Sequence, residues 1–124
     1  MNTHDLFVQK KFKEVSKLIP ANSKVLDIGC NNAMIKDFLE SPKYFGVDGD
    51  ETIVKKLISR GINARIVDLN NQKLPFEKEK FDYILLLDIL EHVVNPKKLL
   101  EEVREKLNKE GKLIITLPND YHIL

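Results

Sequence analysis

The sequence contains one cysteine, Cys30, so no internal disulfide can form. It has no long hydrophobic run either. The longest, Tyr83 to Leu87, stops at Asp88, far short of a membrane span. Met1 is followed by polar residues in place of a charged start and an apolar stretch, so no signal peptide is visible. A cytoplasmic protein with no membrane association is the expectation. An excess of charge of either sign is also missing: 20 Lys and Arg balance 19 Asp and Glu. That argues against a broad electrostatic footprint for nucleic acid. What is present is 124 residues, 43% hydrophobic and 31% charged, enough for one soluble globular domain with a real core.

Glycine is scarce where it would matter most. In "KVLDIGCNNAMIKDFL", residues 24–39, an apolar run ends on an acid, Gly29 follows, and a helical pattern begins. Such a junction commonly holds a nucleotide-like cofactor, yet Asn31 and Ala33 stand where nucleotide loops carry further glycines. Along the rest of the chain, Val8, Phe12, Val15 and Ile19 share one helical face, opened by a cap at Thr3 and closed by Pro20. Lys24 to Ile28 reads as a strand and Asn31 to Leu39 as a helix. Tyr44 to Val47 is a second strand, and Asp50 caps a helix that runs to Ser59 and stops at Gly61. Ile62 to Val67 is a third strand, and Asn70 to Lys80 a polar loop with Pro75. Phe81 to Leu87 is a strand apolar enough to be covered on both faces. Asn95 caps and Pro96 opens a helix with Leu99, Leu100, Val103 and Leu107 inward. Gly111 ends that helix, and Lys112 to Leu117 is the fifth strand.

This alternation predicts an α/β, Rossmann-like open parallel sheet of five strands with helices on both faces. Ligands of such sheets gather at the carboxyl ends of the strands, near the point where strand order reverses. Asp27, Asp48, Asp68 and Asp88 each stand at the end of one strand. A carboxylate there is costly unless something binds it. The dinucleotide register G-x-G-x-x-G would fall on Gly29, Asn31 and Met34, which argues against NAD or FAD, and no G-K-[ST] is present for a P-loop. A cofactor without phosphates asks less: one close backbone approach at Gly29, amides for a carboxylate, and Asn31 tolerating a left-handed backbone. Asp48 suits a ribose diol, Asp68 with the Leu69 amide suits an adenine edge, and acids nearby suit an ammonium and a sulfonium. S-adenosylmethionine is the ligand with those parts.

The motifs resemble those of class I S-adenosylmethionine-dependent methyltransferases. "VLDIGCNNA" resembles the first motif and "YFGVDGD" the second. "VDLNNQKLPFEKEKFDYILLLDILEHVVNPKKLLEEVREKLNKEGKLIITLPN" resembles the third through fifth, so that roughly residues 24 to 119 are covered. "RGINARIVDLN" and the ending "LPNDYH" are similar to MetW-like proteins of methionine biosynthesis, and "DILEHVVNP" to ubiquinone-type O-methyltransferases. The resemblance implies that Asp27, Gly29, Cys30 and Asn31 border the methionine part of the cofactor. It places Asp48 and Gly49 at the ribose, Asp68 and Leu69 at the adenine, and Leu87 and Asp88 at the reactive end. Ala33 puts a methyl group where close helix packing is wanted, which would weaken cofactor affinity.

His92 is the candidate catalytic residue, as a base or a substrate-orienting group. Asp88, Glu91 and His92, with His122 as a further ligand, resemble a metal-binding pattern of small-RNA 2′-O-methyltransferases. The same "LEH" also occurs in relatives that bind no metal, and no metal is the expectation here. Cys30 reads as a small filler, and the Lys/Glu-rich helix from Lys97 to Lys109 as a solvated face.

Members of the resembled family continue past the fifth strand into an antiparallel hairpin, which is expected to be absent here. Three explanations stay open: a fragment of a longer enzyme, a second copy or partner chain covering the fifth-strand edge, or a reduced cofactor-binding module. The leading expectation is a methyltransferase acting on a small-molecule acceptor. The alternatives are a non-catalytic module regulating a partner and a metal-assisted RNA methyltransferase.

Overall fold

In a computed structural model, which describes residues 3–118 and 120–123, one six-stranded sheet runs in the order β3-β2-β1-β4-β5-β6. The strands are β1 (Lys24–Ile28), β2 (Lys43–Asp48), β3 (Ala64–Ile66), β4 (Phe81–Leu87), β5 (Leu107–Leu117) and β6 (Asp120–Ile123). The first five are mutually parallel, and β6 pairs antiparallel with β5. Helices α1 (Thr3–Ser16), α2 (Glu51–Ser59) and α3 (Pro96–Lys106) complete the layers. Strand order reverses at β1, which lies between β2 and β4.

Both faces of the sheet are buried, as the near-continuous apolar strands require. On one face Val25, Leu85 and Ile114 join Val15 of α1 and Val54 and Leu57 of α2. On the other, Leu26, Ile84 and Leu86 join Leu99 and Val103 of α3. The connection from β3 to β4 carries no helix. Its apolar members Leu74 and Phe76 are buried beneath that second face, and Phe45 meets Phe76 and Phe81 edge-on at 5.0 and 5.2 Å.

The caps form where local chemistry demands them. Asp50 accepts from the Thr52 and Ile53 amides at 2.9 and 3.2 Å, and Asn95 from the Lys98 amide at 3.2 Å. Elsewhere the elements depart from expectation. The helix expected over Asn31 to Leu39 is only a 3₁₀ turn, Met34–Phe38, because Asn31 (φ 47°) and Ala33 (φ 59°) are both left-handed and interrupt helical geometry. The third strand pairs only over Ala64–Ile66.

Helix α3 ends at Lys106, not at Gly111. Strand β5 starts at once, and Gly111 lies at its irregularity, where Phe81 pairs with Leu107 but Tyr83 with Lys112. A Cβ at Gly111 would come 2.8 Å from the Phe81 carbonyl oxygen and 2.9 Å from that of Asn108. The sheet also does not stop at its fifth strand. After Pro118 the chain reverses, and Asp120–Ile123 pairs with Ile114–Leu117, so an antiparallel strand expected to be absent is present and covers that part of the β5 edge.

Candidate functional site

The four strand-end acids are all partnered within the chain. Asp27 is 3% exposed and accepts from the Tyr44 hydroxyl at 2.6 Å. Burial pushes its carboxyl up to about 6 against the lowering effect of that bond, and the nearby Asp48 adds to the rise. Asp48 takes the Asn31 amide at 2.8 Å on one oxygen and the Asp50 amide at 3.0 Å on the other. It therefore fixes the first loop against the second. Asp68 accepts from the Asn71 side chain at 2.7 Å and the Asn70 amide at 2.9 Å, which hold its carboxyl below the usual range. Asp88 is gripped by Lys11, whose Nζ lies 3.0 Å from each carboxylate oxygen.

Three cavities open along the carboxyl ends of the strands. The first, about 530 Å³, is lined by Asp48, Gly49, Asp68, Leu69 and His92 and walled by Val67 and Val93. The second, about 300 Å³, is lined by Asp27, Cys30, Leu87 and Asp88, with Val8 and Phe12 of α1. Gly29, Asn31 and Ile89 border both. The third, about 430 Å³, lies beneath α1 and again touches Leu87 and Asp88. These volumes fall in the range of small-molecule sites, at the switch point where such sites form.

Every site residue expected from sequence thus lies on one of the first two cavities. Gly29 has φ +74°, a backbone that side chains rarely adopt, and a Cβ there would fall 2.1 Å from Ile89 Cδ1, so any larger residue would displace that side chain. Cys30 is buried, its sulfur packed where a Cβ at Gly46 would come within 2.9 Å. Burial, with Asp27 and Asp48 beside it, pushes its thiol up to about 12, which suits filling and not nucleophilic attack. Ala33 belongs to the core behind the loop and borders none of these cavities.

His92 lines the first cavity. Its side chain is 76% exposed at the rim of the first cavity with Asp48 and Asp68, a cavity that Asp88 does not line. Its Nε2 is 3.6 Å from Glu91, beyond hydrogen-bond distance. Among the described residues no three His, Cys, Asp or Glu side chains converge to hold a metal ion. The Asp88 carboxylate of the metal pattern is engaged by Lys11, and the side chain of His122 lies outside the described residues.

Sequence reasoning missed Lys11, and it placed Ile89 and Asn70 only within the strand-end segments Asp88 to His92 and Asp68 to Asn70, without a role. Ile89 separates the first two cavities, and Asn70 accepts from the Val94 amide at 2.9 Å, bridging the loops after β3 and β4. Lys11 did leave a signal: a charged residue within the apolar stripe of Val8, Phe12 and Val15 needs a partner in the core.

Residues 9–123 match the family model described as methionine biosynthesis protein MetW. The chain is 31% identical to the bifunctional methionine biosynthesis protein MetXA/MetW of Rhodopirellula baltica, over 93% of this chain and 20% of that protein. It is 28% identical to a ubiquinone biosynthesis O-methyltransferase of Glaesserella parasuis, over 77% of this chain and 45% of the other. A TehB-like SAM-dependent methyltransferase from Corynebacterium glutamicum superposes with a TM-score of 0.71 at 18% identity, over 85% of this chain and 60% of that one. The fold is therefore that of the S-adenosylmethionine-dependent methyltransferases. The chain spans 20% to 48% of the length of the first curated relatives it matches. No helix among the described residues is long and apolar enough to cross a membrane.

Proposed function

Because the chain belongs to the MetW family, we propose that it binds S-adenosylmethionine along the first two cavities and transfers its methyl group to a small-molecule acceptor. The observation that carries this reading is the pairing of Asp48 and Asp68, at the ends of adjacent strands, in one cavity with apolar walls that continues past Gly29. Each Asp48 oxygen takes one backbone bond and keeps a lone pair for a ribose hydroxyl. Val67, Leu69 and Val93 offer apolar surface to the faces of an adenine ring, with Asp68 at its edge. His92, on the same rim, covers the nucleoside end.

Gly29, Cys30 and Asn31 border the methionine portion, with Asp27 shaping the loop from behind. When bound, S-adenosylmethionine supplies a methyl group on a positively charged sulfur, open to in-line attack. The chain's own contribution is position and water exclusion: Val8, Phe12, Leu87 and Ile89 wall the reactive end with hydrocarbon.

Calorimetric titration with S-adenosylhomocysteine tests the reading. Binding on the order of micromolar is expected, weakened about tenfold or more in Asp48→Ala, equivalent to ~1.4 kcal/mol or more. A wild-type chain that takes up no S-adenosylhomocysteine would sink it. A second reading, a cofactor-binding module that regulates a partner without turnover, is favoured by the relative whose name joins MetXA and MetW in one protein. Methyl transfer to any acceptor would remove that alternative.

A further inference from the structure

The third cavity is separated from the second only by residues that line both: Val8, Phe12, Leu87 and Asp88. Its remaining walls are Phe7, Pro118 and Lys11, so its surface is hydrocarbon and ring apart from one ion pair. We propose that this cavity is the methyl-acceptor site, taking a small molecule with an apolar body whose reacting O–H or N–H donates to the Asp88 carboxylate. The inference rests on S-adenosylmethionine occupying the cavities beside it.

The ion pair decides which chemistry fits. Lys11 contacts both Asp88 oxygens at 3.0 Å and the Leu117 carbonyl at 3.4 Å, and the Phe7 ring lies 5.6 Å from its Nζ. Its side chain is 9% exposed, whereas that of Asp88 is 44% exposed. Lys11 therefore stands behind the carboxylate with its donors engaged, and the pair presents acceptor oxygen outward. Thr116 donates to Oδ1 at 3.0 Å, which leaves Oδ2 with the freer lone pair.

The backbone reinforces this arrangement. Asp88 adopts φ +57°, ending the strand at this residue, and its amide is held by the Thr116 carbonyl and hydroxyl oxygens at 3.1 and 2.9 Å. An anionic acceptor such as a phosphate or carboxylate would face a carboxylate whose one cationic neighbour among the described lining residues, Lys11, is already engaged. A phenol, an alcohol or an amine would find an acceptor oxygen that Lys11 holds in place. In the transfer, the acceptor's lone pair forms the new bond to the methyl carbon and the methyl–sulfur pair returns to sulfur, leaving a neutral thioether. The acceptor's proton passes to Asp88 and on to solvent. Asp88 is the catalytic residue of this site and Lys11 its positioning residue.

The test titrates the full ¹⁵N-labelled chain, saturated with S-adenosylhomocysteine, with 4-methylphenol and with 4-methylbenzoate, which share a ring and differ in the polar group. The phenol should shift the amides of Phe7, Val8, Phe12 and Asp88, and the benzoate should bind at least tenfold more weakly. Asp88→Asn, which tolerates the left-handed backbone, should weaken the phenol fivefold or more. Lys11→Met should weaken it similarly, with Lys11→Arg restoring it. Equal binding of the benzoate, shifts confined to other amides, or an Asp88→Asn variant with unchanged affinity would overturn the proposal. If S-adenosylhomocysteine itself fails to bind, the methyltransferase reading falls and this assignment with it. If it binds and the phenol does not reach these amides, only the acceptor site falls.

Discussion

At the scale of single residues, the site rests on buried and strained groups, Asp27 first among them. Asp27 has a folded value near 6 against an ordinary 3.8, so the folded chain holds its proton more tightly than the unfolded one. Its stabilising effect is complete below pH ~4 and is lost as pH rises to about 6, by an amount on the order of 3 kcal/mol. Asp27→Asn keeps an acceptor for Tyr44 and removes the titration. Urea unfolding at pH 4, 5, 6 and 8 should show the variant gaining on wild type across that window, then holding constant. A flat difference would contradict the burial argument.

Ala33 offers a second case. Its left-handed backbone costs about 1–2 kcal/mol, which Ala33→Gly would relieve. The same change gives up a buried methyl, about 0.8 kcal/mol, and adds the chain entropy of glycine, about 0.4–1 kcal/mol. The variant should thus lie within about 1 kcal/mol of wild type. Its affinity for S-adenosylhomocysteine should be unchanged within about twofold, since the methyl borders no cavity. A tenfold gain in affinity would show that the methyl obstructs the loop after all.

At the scale of elements, legibility follows the range of the interaction. Asp50 and Asn95 were readable as caps because each side chain and the amides it satisfies lie within three residues. The strand-end acids were readable because a carboxylate after an apolar strand is conspicuous in one dimension. The helix after β1 misled because a periodic pattern, Met34, Ile35, Phe38 and Leu39, carries no mark of two left-handed residues before it. Gly111 misled in the same way. It reads as a helix stop, but its reason is the Phe81 carbonyl on a neighbouring strand, 30 residues distant in sequence and 2.8 Å from where a Cβ would sit. Gly111→Ala should therefore destabilise the chain by about 1–3 kcal/mol, read as a lower urea midpoint. An unchanged midpoint would mean that β5 shifts freely at its irregularity.

At the scale of the molecule, β6 decides how the sheet meets its surroundings. Its backbone pairs with Ile114–Leu117, the segment of β5 that carries two core residues, Ile114 and Ile115. Removing residues 119–124 should expose that edge and give concentration-dependent association in sedimentation velocity, with the intact chain as reference. A truncated chain that sediments identically would show that the edge is innocuous.

The Lys11–Asp88 pair has a consequence on another axis, the order in which the chain is made. Its partners are 77 residues apart, and the Leu117 carbonyl that completes the lysine's shell is 106 residues from it. At elongation rates of ~5–20 residues per second, Lys11 waits on the order of 4–15 s for Asp88 to be synthesised. Helix α1 can meanwhile lean on the nearby turn Met34–Phe38, where the Phe12 and Phe38 rings meet at a tilt of 56° with centroids 6.5 Å apart, but it cannot be locked. Helix α1 is thus made before the strands that fasten it, and until β4 and β5 exist its apolar stripe is open to any chaperone that reaches it.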